Sequence, residues 1–121
     1  MSSDPIPCLA LGKDRRLAET VAARLRPHNF VVNAAIDGSL FSAENLKTVI
    51  LALLPRPKVL VIGGGYSDEE ASVARQMWDE YTTKYGVDNA VVVRVVPGIL
   101  QSSGRDGLAD WILGELKKSF H

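Results

Sequence analysis

Val59-Leu60-Val61-Ile62-Gly63-Gly64-Gly65 decides the fold of this chain. An uninterrupted apolar run is the mark of a strand buried on both faces, as in a parallel sheet, whereas a half-exposed strand alternates apolar and polar residues. The glycines that follow let the backbone turn sharply or approach a neighbour closely. Ser67-Asp68-Glu69-Glu70 then opens a helical pattern, with Ser67 and Glu70 at capping-box spacing. The stretch therefore reads as a central parallel strand whose carboxyl end is the natural place for a ligand.

Similar units lie on either side. Pro7 to Gly12 reads as a short buried strand, and Leu17, Ala18, Val21, Ala22 and Leu25 follow at the spacing of one helix face, stopped by Arg26-Pro27. Phe30 to Ile36 is a second strand closed by Asp37-Gly38-Ser39. Ser42 caps the next helix, which buries Leu46, Val49, Ile50, Leu53 and Leu54 before Pro55-Arg56-Pro57 ends it. After the glycines a helix runs from about Asp68 to Lys84, with Ala71, Ala74, Met77, Trp78, Tyr81 and Tyr85 on one stripe. Ala90 to Val96 makes a fourth strand, terminated by Pro97-Gly98. A loop, Gln101-Ser102-Ser103-Gly104-Arg105, leads to a last helix with Leu108, Trp111, Ile112, Leu116 and Phe120 facing inward.

Strands alternating with helices give an α/β fold: one three-layer domain, a four-stranded parallel sheet with helices on both faces. Right-handed crossovers favour the strand order 2-1-3-4, with the first and last helices on one face and the middle two on the other. The order then splits between strands one and three, and the loops after Gly12 and Gly63 flank a crevice.

Composition narrows the function. The chain of 121 residues, 46% hydrophobic and 23% charged, is one ordinary globular domain's worth. Fourteen basic and fourteen acidic residues balance, so no nucleic-acid partner is expected, because phosphate binding needs excess positive charge. The single cysteine, Cys8, forms no internal disulfide and suits a reducing compartment. The start of the sequence lacks a signal-like apolar segment, and the longest apolar run, Val49 to Leu54, is too short for a membrane span. A cytoplasmic protein without a membrane partner is the expectation.

The glycine turn resembles the dinucleotide-binding fingerprint of flavin and nicotinamide enzymes, with a Rossmann-like fold implied. It departs where that fingerprint needs a third glycine or alanine, since Asp68 stands there, followed by Glu69 and Glu70. Length and alternation also resemble the flavodoxin-like group, including receiver domains of response regulators. Those need an acidic pair after strand one and a phosphoacceptor aspartate after strand three; this chain offers Gly12-Lys13-Asp14 and Gly63. No cofactor is implied, although FMN or another nucleotide is compatible with such an architecture.

Candidate chemistry gathers in three loops at one edge of the sheet. Lys13, Arg15 and Arg16 stand at the start of a helix, where cations meet the positive dipole end, so they either hold an anion or splay into solvent with Asp14 as compensation. Ser102, Ser103 and Arg105 form either an anion cradle of backbone N–H groups or an ordinary capped loop. Gly64, Gly65, Tyr66 and Ser67 sit at the mouth of the central turn. The expected ligand-binding set is thus Gly12, Lys13, Arg15, Gly64, Gly65, Tyr66, Ser67, Ser102, Ser103 and Arg105. Catalysis, where present, would be mild proton transfer by Asp14, Asp37 or Tyr66. No histidine and carboxylate cluster has metal-ligand spacing, so no metal is expected.

Two functions compete. One is a small protein binding a polar or anionic metabolite over the carboxyl ends of the strands, with isomerase-type chemistry at most. The other is a non-catalytic, receiver-like interaction module lacking a phosphoacceptor. A long apolar edge invites pairing, so a homodimer through the fourth strand or the Trp78/Tyr81 helix is expected. Residues 13–26 carry five basic against two acidic side chains and residues 68–84 the reverse, which predicts a basic and an acidic side.

Overall fold

The computed structural model describes residues 5–37, 41–96 and 98–120. In chain order the elements are β1 (Ile6–Gly12), α1 (Arg15–Leu25), a short 3-10 turn (Arg26–His28), β2 (Phe30–Asp37), α2 (Ala43–Ala52), β3 (Val59–Ile62), α3 (Asp68–Tyr85), β4 (Val91–Arg94) and α4 (Ile99–Ser119). The four strands pair in parallel in the order β2-β1-β3-β4, as the crossover argument predicts. Gly38, Ser39 and Pro97, read as turn residues, lie outside the described residues.

All of β3 is buried, and it hydrogen-bonds to β1 on one side and β4 on the other. Alternate side chains of a strand point to opposite faces, so this one strand feeds two cores. Val59 and Val61 join Cys8, Val93, Val21 and Leu25 under α1 and α4. Leu60 and Ile62 join Leu9, Leu11, Leu46 and Ile50 under α2 and α3. Each large aliphatic side chain so buried contributes about 1.5–3 kcal/mol. Arg24 of α1 reaches both Asp106 and Asp110 of α4, tying the helices of the first face together.

Local chemistry explains the element ends. The Asp14 carboxylate accepts from the N–H groups of Arg16 (2.9 Å) and Leu17 (3.3 Å), capping α1. Ser67 and Glu70 form the expected capping box on α3, and Gly86 at φ 61° closes that helix in the left-handed region. The basic α1 and acidic α3 lie on opposite faces of the sheet.

Four expectations need correction. Gln101 to Arg105 is not a loop: α4 already begins at Ile99, and Gly104 (φ 71°, ψ −176°) kinks it after its first turn. Serine and glycine are poor helix formers, but this turn is closed by Ser102 N–H donating to the Gly98 carbonyl at 3.0 Å. Leu54 is 80% exposed because α2 stops at Ala52 and Leu53 is extended. β4 is shorter than Ala90–Val96, although Val95 N–H still donates to the Ile62 carbonyl (2.9 Å). Trp78 and Tyr81 are only 1% and 5% exposed and belong to the core, so of the aromatic stripe of α3 it is Tyr85, 36% exposed, that reaches the surface.

Candidate functional site

A partly enclosed cleft of about 310 Å³ opens at the carboxyl ends of β1, β3 and β4, between α1 and the first turn of α4. Its position follows from the strand order. β1 and β3 are neighbours whose connections leave toward opposite faces, and their exits part at this point. Gly63 makes the parting possible: a Cβ there would lie 2.8 Å from the Leu11 carbonyl oxygen, and Gly63 N–H donates to that same oxygen at 2.8 Å. Any side chain would force the two strands apart.

Ala10, Val61, Leu108 and Ile112 form the floor, Leu17, Ala18 and Val21 one wall, and Val95, Val96, Gly98 and Gln101 the other. Among the described residues, only Lys13, Asp14 and Gln101 bring polar side chains to it. Among the described residues, the N–H groups of Gly64 and Gly65 have no acceptor within the protein. They are unused donors at the rim.

The predicted site residues divide accordingly. Gly12, Lys13, Gly64 and Gly65 line the cleft, together with Asp14. Arg15 faces a larger, more open neighbouring groove of about 510 Å³ between α1 and the edge strand β2 and pairs with Glu19 (3.7 Å). Arg105 stands outside, 3.7 Å from the Asp14 carboxylate, and Ser102 spends its hydroxyl on the Ile99 carbonyl (3.2 Å). Ser103 lies on the same turn, away from the cleft. Ser67 is the cap of α3.

Tyr66 is the clearest departure. Expected as a wall of the site, it is 4% exposed and turned into the α2/α3 core. Its hydroxyl donates to the Ile36 carbonyl at 3.4 Å, and Phe41 packs edge-on against its ring at 5.1 Å. Tyrosine is amphipathic, so it can plug a sheet end while keeping its polar tip satisfied.

Charge at the rim is largely matched. Lys13 Nζ lies 3.2 Å from Glu70 Oε1 and 5.0 Å from the centre of the Tyr66 ring. Glu70 also accepts from the Ser67 N–H (2.9 Å); that bond first, then Lys13, holds its carboxyl below the usual value. Asp14, one proposed proton carrier, is occupied by its helix cap. Asp37 ends β2 opposite Gly12 in register, and its side chain lies outside the described residues. Cys8 is fully buried, and desolvation pushes its thiol up to about 12.

Sequence reading missed the apolar lining. Ala10 and Ala18 looked like ordinary core and helix-face residues; the usable signal was their smallness opposite Gly63 to Gly65, which leaves space where two layers should meet.

Among solved structures, the chain is similar to a de novo designed Rossmann-fold protein, with a TM-score of 0.53 and 16% identity over 97% of this chain and 99% of that one. That likeness shows the fold, a Rossmann-like parallel α/β sheet. No protein-family model and no curated protein sequence matches the chain. Among the described residues, no helix is long and apolar enough to cross a membrane.

Proposed function

We propose that this chain binds a small metabolite with a polar or anionic end in the cleft over the carboxyl ends of β1, β3 and β4. The observation that carries this reading is the pair of unused N–H donors on Gly64 and Gly65, at the rim of a 310 Å³ cleft where the strand order reverses. Pockets for small ligands start at about 300 Å³ and favour such switch points. Lys13 adds positive charge at the same rim. The reading is of binding: of the expected proton carriers, Asp14 caps a helix and Tyr66 is buried in the opposite core.

A thermal-shift screen of nucleotides, flavins, sugar phosphates and carboxylates tests it. A ligand at a hundred times its dissociation constant adds about 2.7 kcal/mol of stability. Lys13→Ala should abolish most of that shift and Arg105→Ala should leave most of it. The reading fails if no compound moves the transition.

One observation favours a second function, the interaction module. β4 has a strand neighbour on one side only, and a groove of about 210 Å³ runs along Val91 to Arg94 beside Trp111. Self-pairing through this edge would make a homodimer. Sedimentation at tens of micromolar would reveal it; a monomer there removes this reading.

A further inference from the structure

The cleft is far less polar than a site built for a small anion alone. Among the described residues that line it, only Lys13, Asp14 and Gln101 have polar side chains, and Asp14 is already held by the N–H groups of Arg16 and Leu17 and by Arg105. Below that rim the walls are alanine, valine, leucine and isoleucine. A sugar phosphate or a short carboxylate placed there would leave the apolar floor wet and would lose water from its own polar groups without replacement.

We infer that the ligand of this site is an amphipathic carboxylate: a flat or branched apolar body of about two rings, ending in a single acceptor group. This rests on the reading that the cleft is a binding site, and it adds the ligand's class. Size comes first. An engineered cavity of about 150 Å³ holds one benzene molecule. At about 310 Å³ the cleft holds roughly twice that. Polarity comes second. The charged and main-chain groups that serve a ligand at the rim are donors, the N–H groups of Gly64 and Gly65 and the Lys13 ammonium, and the Gln101 amide adds a neutral group that can donate or accept. A carboxylate offers acceptors only, so it complements them without leaving a donor of its own unpaired. The body is thereby directed inward, toward Ala10, Val61 and Ile112.

Lys13 is positioned for this. Its Nζ is shared with Glu70 at 3.2 Å, and the carbons of its stem lie about Gly65, where an added Cβ would come within 3.3 Å of Lys13 Cδ. The absence of a side chain at Gly65 therefore lets the lysine stem lie along the turn, with its ammonium held by Glu70 over the Tyr66 ring, where a ligand carboxylate at the turn would compete with Glu70 for it.

The test is calorimetric titration of the full chain with 2-naphthoate, 2-naphthalenemethanol, acetate and inorganic phosphate. The inference predicts one-to-one binding of 2-naphthoate, at least tenfold tighter than acetate or phosphate. Lys13→Met should weaken 2-naphthoate several-fold while leaving the uncharged alcohol unchanged. Ala18→Leu, which narrows the wall, should weaken both naphthalene compounds at least tenfold. Val96→Trp is the companion variant at the rim: Val96 is 53% exposed, so the larger side chain is accommodated without disturbing the core. Phosphate or acetate binding as tightly as 2-naphthoate would overturn the inference and leave the binding site standing. Full 2-naphthoate affinity in both filled variants would place the ligand elsewhere and overturn it too. If none of the probes binds, the inference falls, and the site reading is then decided by the wider thermal-shift screen.

Discussion

The two faces of this sheet are built from the same strands and end differently. Under α2 and α3 the carboxyl end is closed: Tyr66 fills it, Phe41 covers Tyr66, and Trp78 and Tyr81 extend the packing along α3. Under α1 and α4 the same level of the sheet is bordered by Ala10, Ala18 and three glycines, and a cleft remains. One turn, Gly63 to Tyr66, serves both outcomes, because its glycines face the open side while its last residue plugs the closed one. Which face of such a sheet keeps a cleft is therefore a matter of side-chain volume at the strand ends more than of charge.

The largest effect that would sharpen this contrast is Trp78→Ala on the filled face. Removing a buried aromatic costs about 3–5 kcal/mol, read from denaturant unfolding. Adding volume with Ala18→Leu on the open face should change stability by less than about 0.5 kcal/mol. Comparable losses from both would mean that the faces are equally packed. Next is Gly104→Ala, which forces a side chain into a backbone region that is almost glycine-only; about 1–3 kcal/mol should be lost by the same measurement. Tyr66→Phe removes the bond to the Ile36 carbonyl and should cost about 0.5–1.5 kcal/mol, with ligand affinity unchanged because the residue belongs to the other face.

Smaller still is the pH response of Glu70. Its folded-state pKa is depressed, chiefly by the Ser67 N–H and then by Lys13, so its contribution is present above the unfolded value. That contribution fades as pH falls through the folded value. Glu70→Gln should therefore flatten the stability profile on the acid side of about pH 4.3, the ordinary glutamate value, in melts taken across that range. Last, Cys8 should resist a disulfide reagent in the folded protein and react on unfolding, since burial keeps its thiol protonated. Rapid labelling of the native chain would show that the α1/α4 core opens easily.

The sheet was legible because its signals are local and repeated: apolar runs, glycine or proline stops and helix-face periodicity, with crossover handedness supplying the order. The capping box of Ser67 and Glu70 was legible for the same reason. The cleft was legible only in outline. That Lys13 and the glycines border it was legible because a loop's place at a strand end follows from topology. The direction of Tyr66 was not, because a tyrosine after a turn can face either layer, and volume on each side settles it. Nor was the start of α4. Ser102, Ser103 and Gly104 read as loop by propensity, whereas the turn they form is held by Gly98 and by its fit against Gly107, where a Cβ would come within 2.4 Å of Ser103 Cβ.

Amide chemical-shift mapping by NMR during titration with 2-naphthoate tests most directly whether the open face is where ligands enter. The account predicts saturable shifts at Gly12, Gly64, Gly65 and Gln101, with Phe41, Tyr66 and Trp78 undisturbed. Shifts centred on those aromatic residues, or none at saturating probe, would contradict it.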